Sequence, residues 1–259
     1  SNSFLPKIKL FIRDPSKTLP PLCYYNTMNK LYEGKAKIVY ATEDEQKLIV
    51  FFKDSATAFD ATKKAQVEGK GAINNTISSI LFELLEKHNI KTHFIKKLSD
   101  REMLVWKAKR FELEVVVRNI TAGSICKRLG LAEGIELKKP LVEFFYKNDE
   151  LHDPLICKSH ALMLSLATEE QIEEMERIAL QVNEVLKDFF HSCGLILVDF
   201  KLEFGILPDG SIAVIDEISP DTCRLWDAKT KEKLDKDRFR FDLGDLMEGY
   251  RKILEKIQR

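Results

Sequence analysis

Across residues 195–204 the chain passes from an apolar run into strict alternation, Asp199-Phe200-Lys201-Leu202-Glu203-Phe204. A period of two belongs to a strand with two unlike faces. Asp199, Lys201 and Glu203 share one face; Phe200, Leu202 and Phe204 share the other. Pro208-Asp209-Gly210 follows, and Asp-Gly between apolar runs signals a hairpin. Residues 211–218 then read as the return strand. With Asp209-Gly210 as a two-residue turn, Glu203 falls opposite Asp216. Opposed Cβ atoms lie about 5 Å apart. Two carboxylates so placed repel by roughly 3 kcal/mol at an effective dielectric near 20. Lys201, on the diagonal, offsets part of this. A divalent cation offsets more, and carboxylate oxygens suit magnesium. A longer loop would instead give a solvated hairpin with its acids apart, and spacing alone leaves both readings open.

The rest of the composition narrows the class. The 259 residues suffice for one large or two modest domains, and 44% are hydrophobic, compatible with a sizeable core. Lys+Arg and Asp+Glu balance at 41 each. That balance argues against a dominant nucleic-acid or anionic-membrane partner, while a local basic pocket stays possible. No apolar run approaches the roughly 18 residues of a membrane span. Cys23, Cys126, Cys157, Cys193 and Cys223 are odd in number and widely spaced, with no Cys-x-x-Cys. Neither a zinc site nor a disulfide framework is indicated, and a reducing cytoplasm fits.

Residues 1–29 are basic and broken by prolines, which predicts a loosely ordered arm. Gly34-Lys35-Ala36-Lys37 sits between two strands, with a third over residues 47–53. One glycine between strands is no Walker loop, so by itself the stretch is an exposed basic turn. Residues 54–60 and 66–71 read as loops. A helix then buries Ile73, Ile77, Ile80, Leu81, Leu84 and Leu85, with Asn89 as a left-handed cap. Strands are expected over residues 93–98, 102–108 and 113–117. Arg118-Asn119-Ile120-Thr121-Ala122-Gly123-Ser124 leaves the last of these and enters a helix carrying Lys127 and Arg128. Gly-Ser amides beside an arginine suit a phosphate, or equally a helix cap. Residues 141–147 read as a strand and 147–154 as a polar turn. Thr168-Glu169-Glu170-Gln171 is a capping box opening a long amphipathic helix that ends at Gly194. Residues 229–241 are charged loop or short helix. Asp242 is expected to cap a final helix that points Leu243, Leu246, Met247, Tyr250, Ile253, Leu254 and Ile257 inward.

Leu197-Val198-Asp199-Phe200-Lys201-Leu202-Glu203-Phe204-Gly205, followed by Asp216-Glu217-Ile218-Ser219-Pro220-Asp221-Thr222-Cys223-Arg224-Leu225-Trp226, resembles the signature pair of the SAICAR synthetase family. That family joins aspartate to a carboxyaminoimidazole ribotide using ATP. The resemblance covers about residues 30–255. It implies an α+β, two-lobed fold. A strand-rich nucleotide-binding lobe would span residues 30–110. A mixed lobe over 111–259 would carry metal and substrate sites, with ATP in the cleft. By the same resemblance Lys35, Ala36 and Lys37 cover the ATP phosphates, and the connector with Lys107 and Arg110 meets the nucleotide. Glu203 and Asp216 hold Mg2+. Arg118, Ser124 and Arg224 take the ribotide phosphate. Lys147, Asp153, Asp199, Lys201 and Asp221 line the carboxylate and aspartate pockets, with Lys201 and Asp199 at the chemistry. Cys223 departs from the small or polar residue often found there, and no neighbouring base marks it as a nucleophile. The expected partners are small molecules, not nucleic acid or membrane; a homo-oligomer is compatible. A small-molecule kinase and a non-catalytic nucleotide binder are the competing classes.

Overall fold

Two antiparallel sheets meet at a short parallel bridge between Thr92 and Val214 in the computed structural model, which describes residues 29–58 and 62–258. The arm expected at the N-terminus lies outside the described residues as far as residue 28. The chain opens with β1 (Lys30–Glu33), β2 (Lys37–Ala41) and β3 (Lys47–Phe52). A small hairpin follows, β4 (Ser55–Ala58) with β5 (Lys63–Gln66), where a loop was expected. Its strands are short and half-exposed, so they carry no apolar pattern to read. After helix α1 (Lys70–Lys87) come β6 (Phe94–Lys97) and β7 (Glu102–Trp106). The first sheet runs β1-β2-β3-β7-β6.

The second half contributes β8 (Lys109–Ile120), α2 (Ser124–Leu129), β9 (Glu136–Tyr146), β10 (Leu155–Ile156), α3 (Lys158–Met163) and α4 (Glu169–Ser192). Then come β11 (Leu195–Ile206), β12 (Ile212–Ile215), β13 (Cys223–Asp227), α5 (Asp237–Arg240) and α6 (Leu246–Ile257). The second sheet runs β10-β9-β8-β11-β12, and β13 also pairs with β11. This is the α+β class that the sequence implied.

The aromatic face of β11 is buried as its alternation required: Phe200, Leu202 and Phe204 sit in the main core. Met175, Val182, Leu186 and Phe190 of α4 join the same core, and the Thr168–Gln171 capping box starts that helix. Ile77, Leu81, Phe82 and Leu85 of α1 pack with Val50, Phe52, Phe94 and Met103 of the first sheet. One apolar cluster therefore runs under both sheets. Asn89 takes the expected left-handed conformation after α1, at φ 60°.

Two expectations need correction. Asp245, not Asp242, caps α6, accepting from the Met247 amide at 2.9 Å. Asp242 instead pairs with Lys63 at 2.6 Å, and Leu243 is exposed rather than inward. The hairpin loop is also longer than two residues. Leu207 N–H donates to Ser211 O at 2.9 Å, leaving Pro208-Asp209-Gly210 as a three-residue loop with Gly210 at φ 83°. The register moves by one, and Glu203 lies opposite Ile215 rather than Asp216.

Candidate active site

The charged face of β11 opens onto a cavity of about 900 Å³. The β1–β2 turn, with Gly34, Lys35, Ala36 and Lys37, forms its opposite wall. The register of the second sheet dictates what stands beside each charge. Asp199 is paired with Arg118 of β8 on one side and Arg224 of β13 on the other. Arg118 Nη1 donates to Asp199 Oδ2 at 2.6 Å, and Arg224 Nη1 does so at 3.0 Å. Burial raises the Asp199 carboxyl above its ordinary value despite both guanidinium groups. Arg118 Nη2 also donates to Ser124 Oγ at 3.1 Å. Gly123, at φ 66°, lies directly under the Arg224 guanidinium, and any side chain there would run into it. Arg224, a hundred positions from Ser124 in sequence, thus converges with Arg118 and Ser124 on one turn.

Two strand positions further along, Glu203 faces Glu114 of β8. Lys147 bridges them, 2.8 Å from Glu203 and 3.1 Å from Glu114. Lys201 bridges them too, 2.6 Å from Glu114 and 3.6 Å from Glu203. Burial alone would lower the Lys201 ammonium, but Glu114 and Glu203 outweigh it and hold the group well above its usual range. The acid pair read from the strand pattern exists, with Glu114 in the place given to Asp216.

Asp216 reaches the cavity by another route. β12 ends at Ile215, and Asp216 takes a left-handed φ of 71°. That breaks the alternation which would have turned it away. Lys37 pairs with Asp216 and, at 2.9 Å, with Glu217. These acids raise the Lys37 ammonium against the opposing effect of burial.

Asp221 touches the cavity from behind. Its carboxylate is 2.6 Å from the buried Lys70 of α1 and accepts from Tyr250 Oη of α6. Lys236 is a further cation at 3.8 Å. Asp153 lines the cavity and accepts from the Asn148 amide at 2.8 Å; Arg110 lines it and pairs with Glu112 at 3.0 Å. Two expected residues do not line it. Ser124 lies just outside the lining, exposed, with its hydroxyl oxygen accepting from Arg118 Nη2. Lys107 is exposed, and its N–H donates to Gln46 O at 2.7 Å. Burial pushes the Cys223 thiol far up, so it is no nucleophile. Sequence reasoning missed Glu114, Glu217, Lys236 and Arg240. Glu114 had a faint signal, because it shares a face of β8 with Arg118, but nothing local names β11 as its partner.

Among the described residues no group of three or more His, Cys, Asp or Glu side chains is arranged to hold a metal. No helix among them is long and apolar enough to cross a membrane.

Comparison with known proteins bears on this cavity. Residues 30–257 match the family model described as SAICAR synthetase. A phosphoribosylaminoimidazole-succinocarboxamide synthase from Persephonella marina is 64% identical over 230 residues, 89% of this chain and 96% of that protein. The crystal structure of the enzyme of that name from Ehrlichia chaffeensis superposes with a TM-score of 0.87 at 46% identity, covering 89% and 98% of the two chains. A SAICAR synthetase solved in complex with ADP gives a TM-score of 0.85 at 57% identity, covering 87% and 96%.

Proposed function

The chain belongs to the SAICAR synthetase family, and from that membership we propose how its own residues divide the work of ATP-dependent ligation. The reaction joins L-aspartate to carboxyaminoimidazole ribotide in purine biosynthesis. The observation that carries the division is the set of charge clusters around one cavity: a lysine turn on one wall and, across from it, an acid pair under two lysines beside an arginine row.

In this reading residues 30–110 form the nucleotide-binding lobe, and 111–259 carry the metal and substrate sites. The ADP complex of a relative supports ATP as the nucleotide, and its phosphates would lie at the lysine turn. Lys35 and Lys37 then act as point positive charges on the phosphates. Glu203 and Asp216 offer only carboxylate oxygens, the donor set Mg2+ prefers when phosphate oxygens and water complete its shell. They would hold it, and when bound it would neutralise charge on the phosphate chain. Arg118, Ser124 and Arg224 receive the ribotide phosphate. That places the imidazole carboxylate toward Lys201 and Lys147. The carboxylate attacks the γ-phosphorus, ADP leaves, and an acyl phosphate forms. The aspartate amine attacks the acyl carbon, and phosphate departs with one former carboxylate oxygen. Lys201 steadies the negative charge that builds in both steps, and Asp199 fixes the two arginines that orient the ribotide. Four cysteines unpaired among the described residues support a reducing, cytoplasmic setting.

The test is ribotide labelled with heavy oxygen in its carboxylate. Labelled inorganic phosphate is expected, with full turnover only when ATP, magnesium and aspartate are all present. Amide product beside unlabelled phosphate would overturn the acyl-phosphate route. A product that keeps its phosphoryl group would point to a kinase.

A further inference from the structure

Arginines and carboxylates alternate in one continuous chain below the cavity. Arg128 Nη2 donates to Glu143 Oε1, and Arg118 Nε donates to Glu143 Oε2 at 2.7 Å. Arg118 continues to Asp199, and Asp199 to Arg224. The chain runs on through Asp237 to Arg240, at 2.9 and 2.7 Å. Four arginines therefore meet three carboxylates along this chain.

Glu143 stands near one end of this chain, outside both strand signatures. It lies on β9, buried, opposite Val116. Each of its oxygens takes a different arginine. Both arginines then point a remaining N–H at the same atom: Arg118 Nη2 and Arg128 Nη1 donate to Ser124 Oγ at 3.1 and 2.9 Å. A hydroxyl has two acceptor lone pairs and one donor hydrogen. With both lone pairs occupied, the Ser124 O–H can only donate.

We infer that Glu143 and Arg128 are positioning residues of the anion site, clamping Ser124 so that its hydroxyl donates to a phosphate oxygen of the ribotide. Neither touches the substrate; they act through Ser124 and Arg118. The inference rests on the reading that the ribotide phosphate sits at Arg118, Ser124 and Arg224. Lysine cannot replace Arg128, because one ammonium is a point charge and cannot span Ser124 and Glu143 as a planar fork does.

The experiment measures KM for ribotide and for ATP, with kcat, in Glu143→Gln, Arg128→Met, Arg128→Lys and Arg118→Ala. Loss of one charge-assisted contact predicts a ribotide KM raised about tenfold in Glu143→Gln, with ATP KM and kcat within about twofold. Arg128→Met is expected to show the same split, and Arg128→Lys not to restore the wild-type value. Arg128 sits at the open end of the chain, so its variants serve should Glu143→Gln melt in a thermal scan. A role in folding alone would shift both KM values and kcat together and would overturn the inference. So would a normal ribotide KM in Glu143→Gln and Arg128→Met when Arg118→Ala has raised it. If Arg118→Ala also leaves it unchanged, the phosphate-site reading itself is wrong, and the inference falls with it.

Discussion

Glu114 and Glu203 face each other across β8 and β11, and Lys201 lies 2.6 Å from the first and 3.6 Å from the second. Lys147 repeats the bridge from the other side. The four charges cancel in pairs, so neither glutamate can be removed without freeing a lysine. Glu114→Gln is expected to keep the fold and to lower turnover about tenfold or more, since a hydrogen bond to a charged group is worth roughly 1.5–3 kcal/mol. Steady-state kinetics with all three substrates checks this, and wild-type turnover would remove Glu114 from the machinery.

Glu203→Gln and Asp216→Asn are expected to abolish turnover and to weaken Mg-ATP binding in calorimetry. The two should differ without magnesium. Asp216→Asn leaves Lys37 one carboxylate, Glu217, in place of two, so metal-free ATP should bind that variant at least as well as wild type. Near-normal turnover of either variant at limiting magnesium would contradict the metal assignment.

Asp54 sets the acid limit of one joint in the fold. Its carboxylate accepts from the Gly71 amide at 2.9 Å and pairs with Arg101, tying β3 to the start of α1. Burial opposes ionisation, but the amide and the guanidinium outweigh it and hold the carboxyl below its ordinary value. A depressed folded value gives stability that is present above the unfolded value, near 3.9, and lost as pH falls through the folded one. Asp54→Asn should therefore cost about 1–3 kcal/mol at neutral pH, and the gap to wild type should narrow at acid pH, as pH falls through the folded value. Denaturant titrations at both pH values check it; a constant gap would mean the loss is not electrostatic.

Tyr250→Phe isolates one hydroxyl in a fully buried ring. Asp221 keeps Lys70 at 2.6 Å but loses its second donor. Expected is a loss of about 1–3 kcal/mol in denaturant unfolding. Lys70→Met should be worse, about 3–5 kcal/mol, because it leaves a buried carboxylate only the Tyr250 hydroxyl and Lys236 at 3.8 Å. Equal costs for the two variants would show that the hydroxyl and the ammonium do not share one carboxylate.

What the sequence revealed followed the range of each interaction. The faces of β11, the capping box at Thr168 and the left-handed Asn89 depend on neighbours, and all appear as read. The partner of Glu203 depends on which strand lies beside β11. That strand, β8, is some ninety positions earlier and announces itself by nothing local. The same holds for Asp199, whose two arginines come from β8 and β13. The one-residue error at Pro208-Asp209-Gly210 has a local cause: Asp-Gly serves both two- and three-residue loops, and only the Leu207–Ser211 hydrogen bond decides. Asp216 escaped the pattern because a left-handed residue, not alternation, aims it.

Tyr250 also ties the last helix to the first. Residues 30–106 hold every strand of the lysine turn's sheet. Yet Leu246 and Tyr250 of α6 are what cover Ala56 and Ile73, and Tyr250 is what completes the cradle of Asp221. The β4–β5 hairpin is therefore sealed, and the Asp221 cradle closed, by α6: loss of residues 246–257 would uncover Ala56 and leave Asp221 without the Tyr250 hydroxyl.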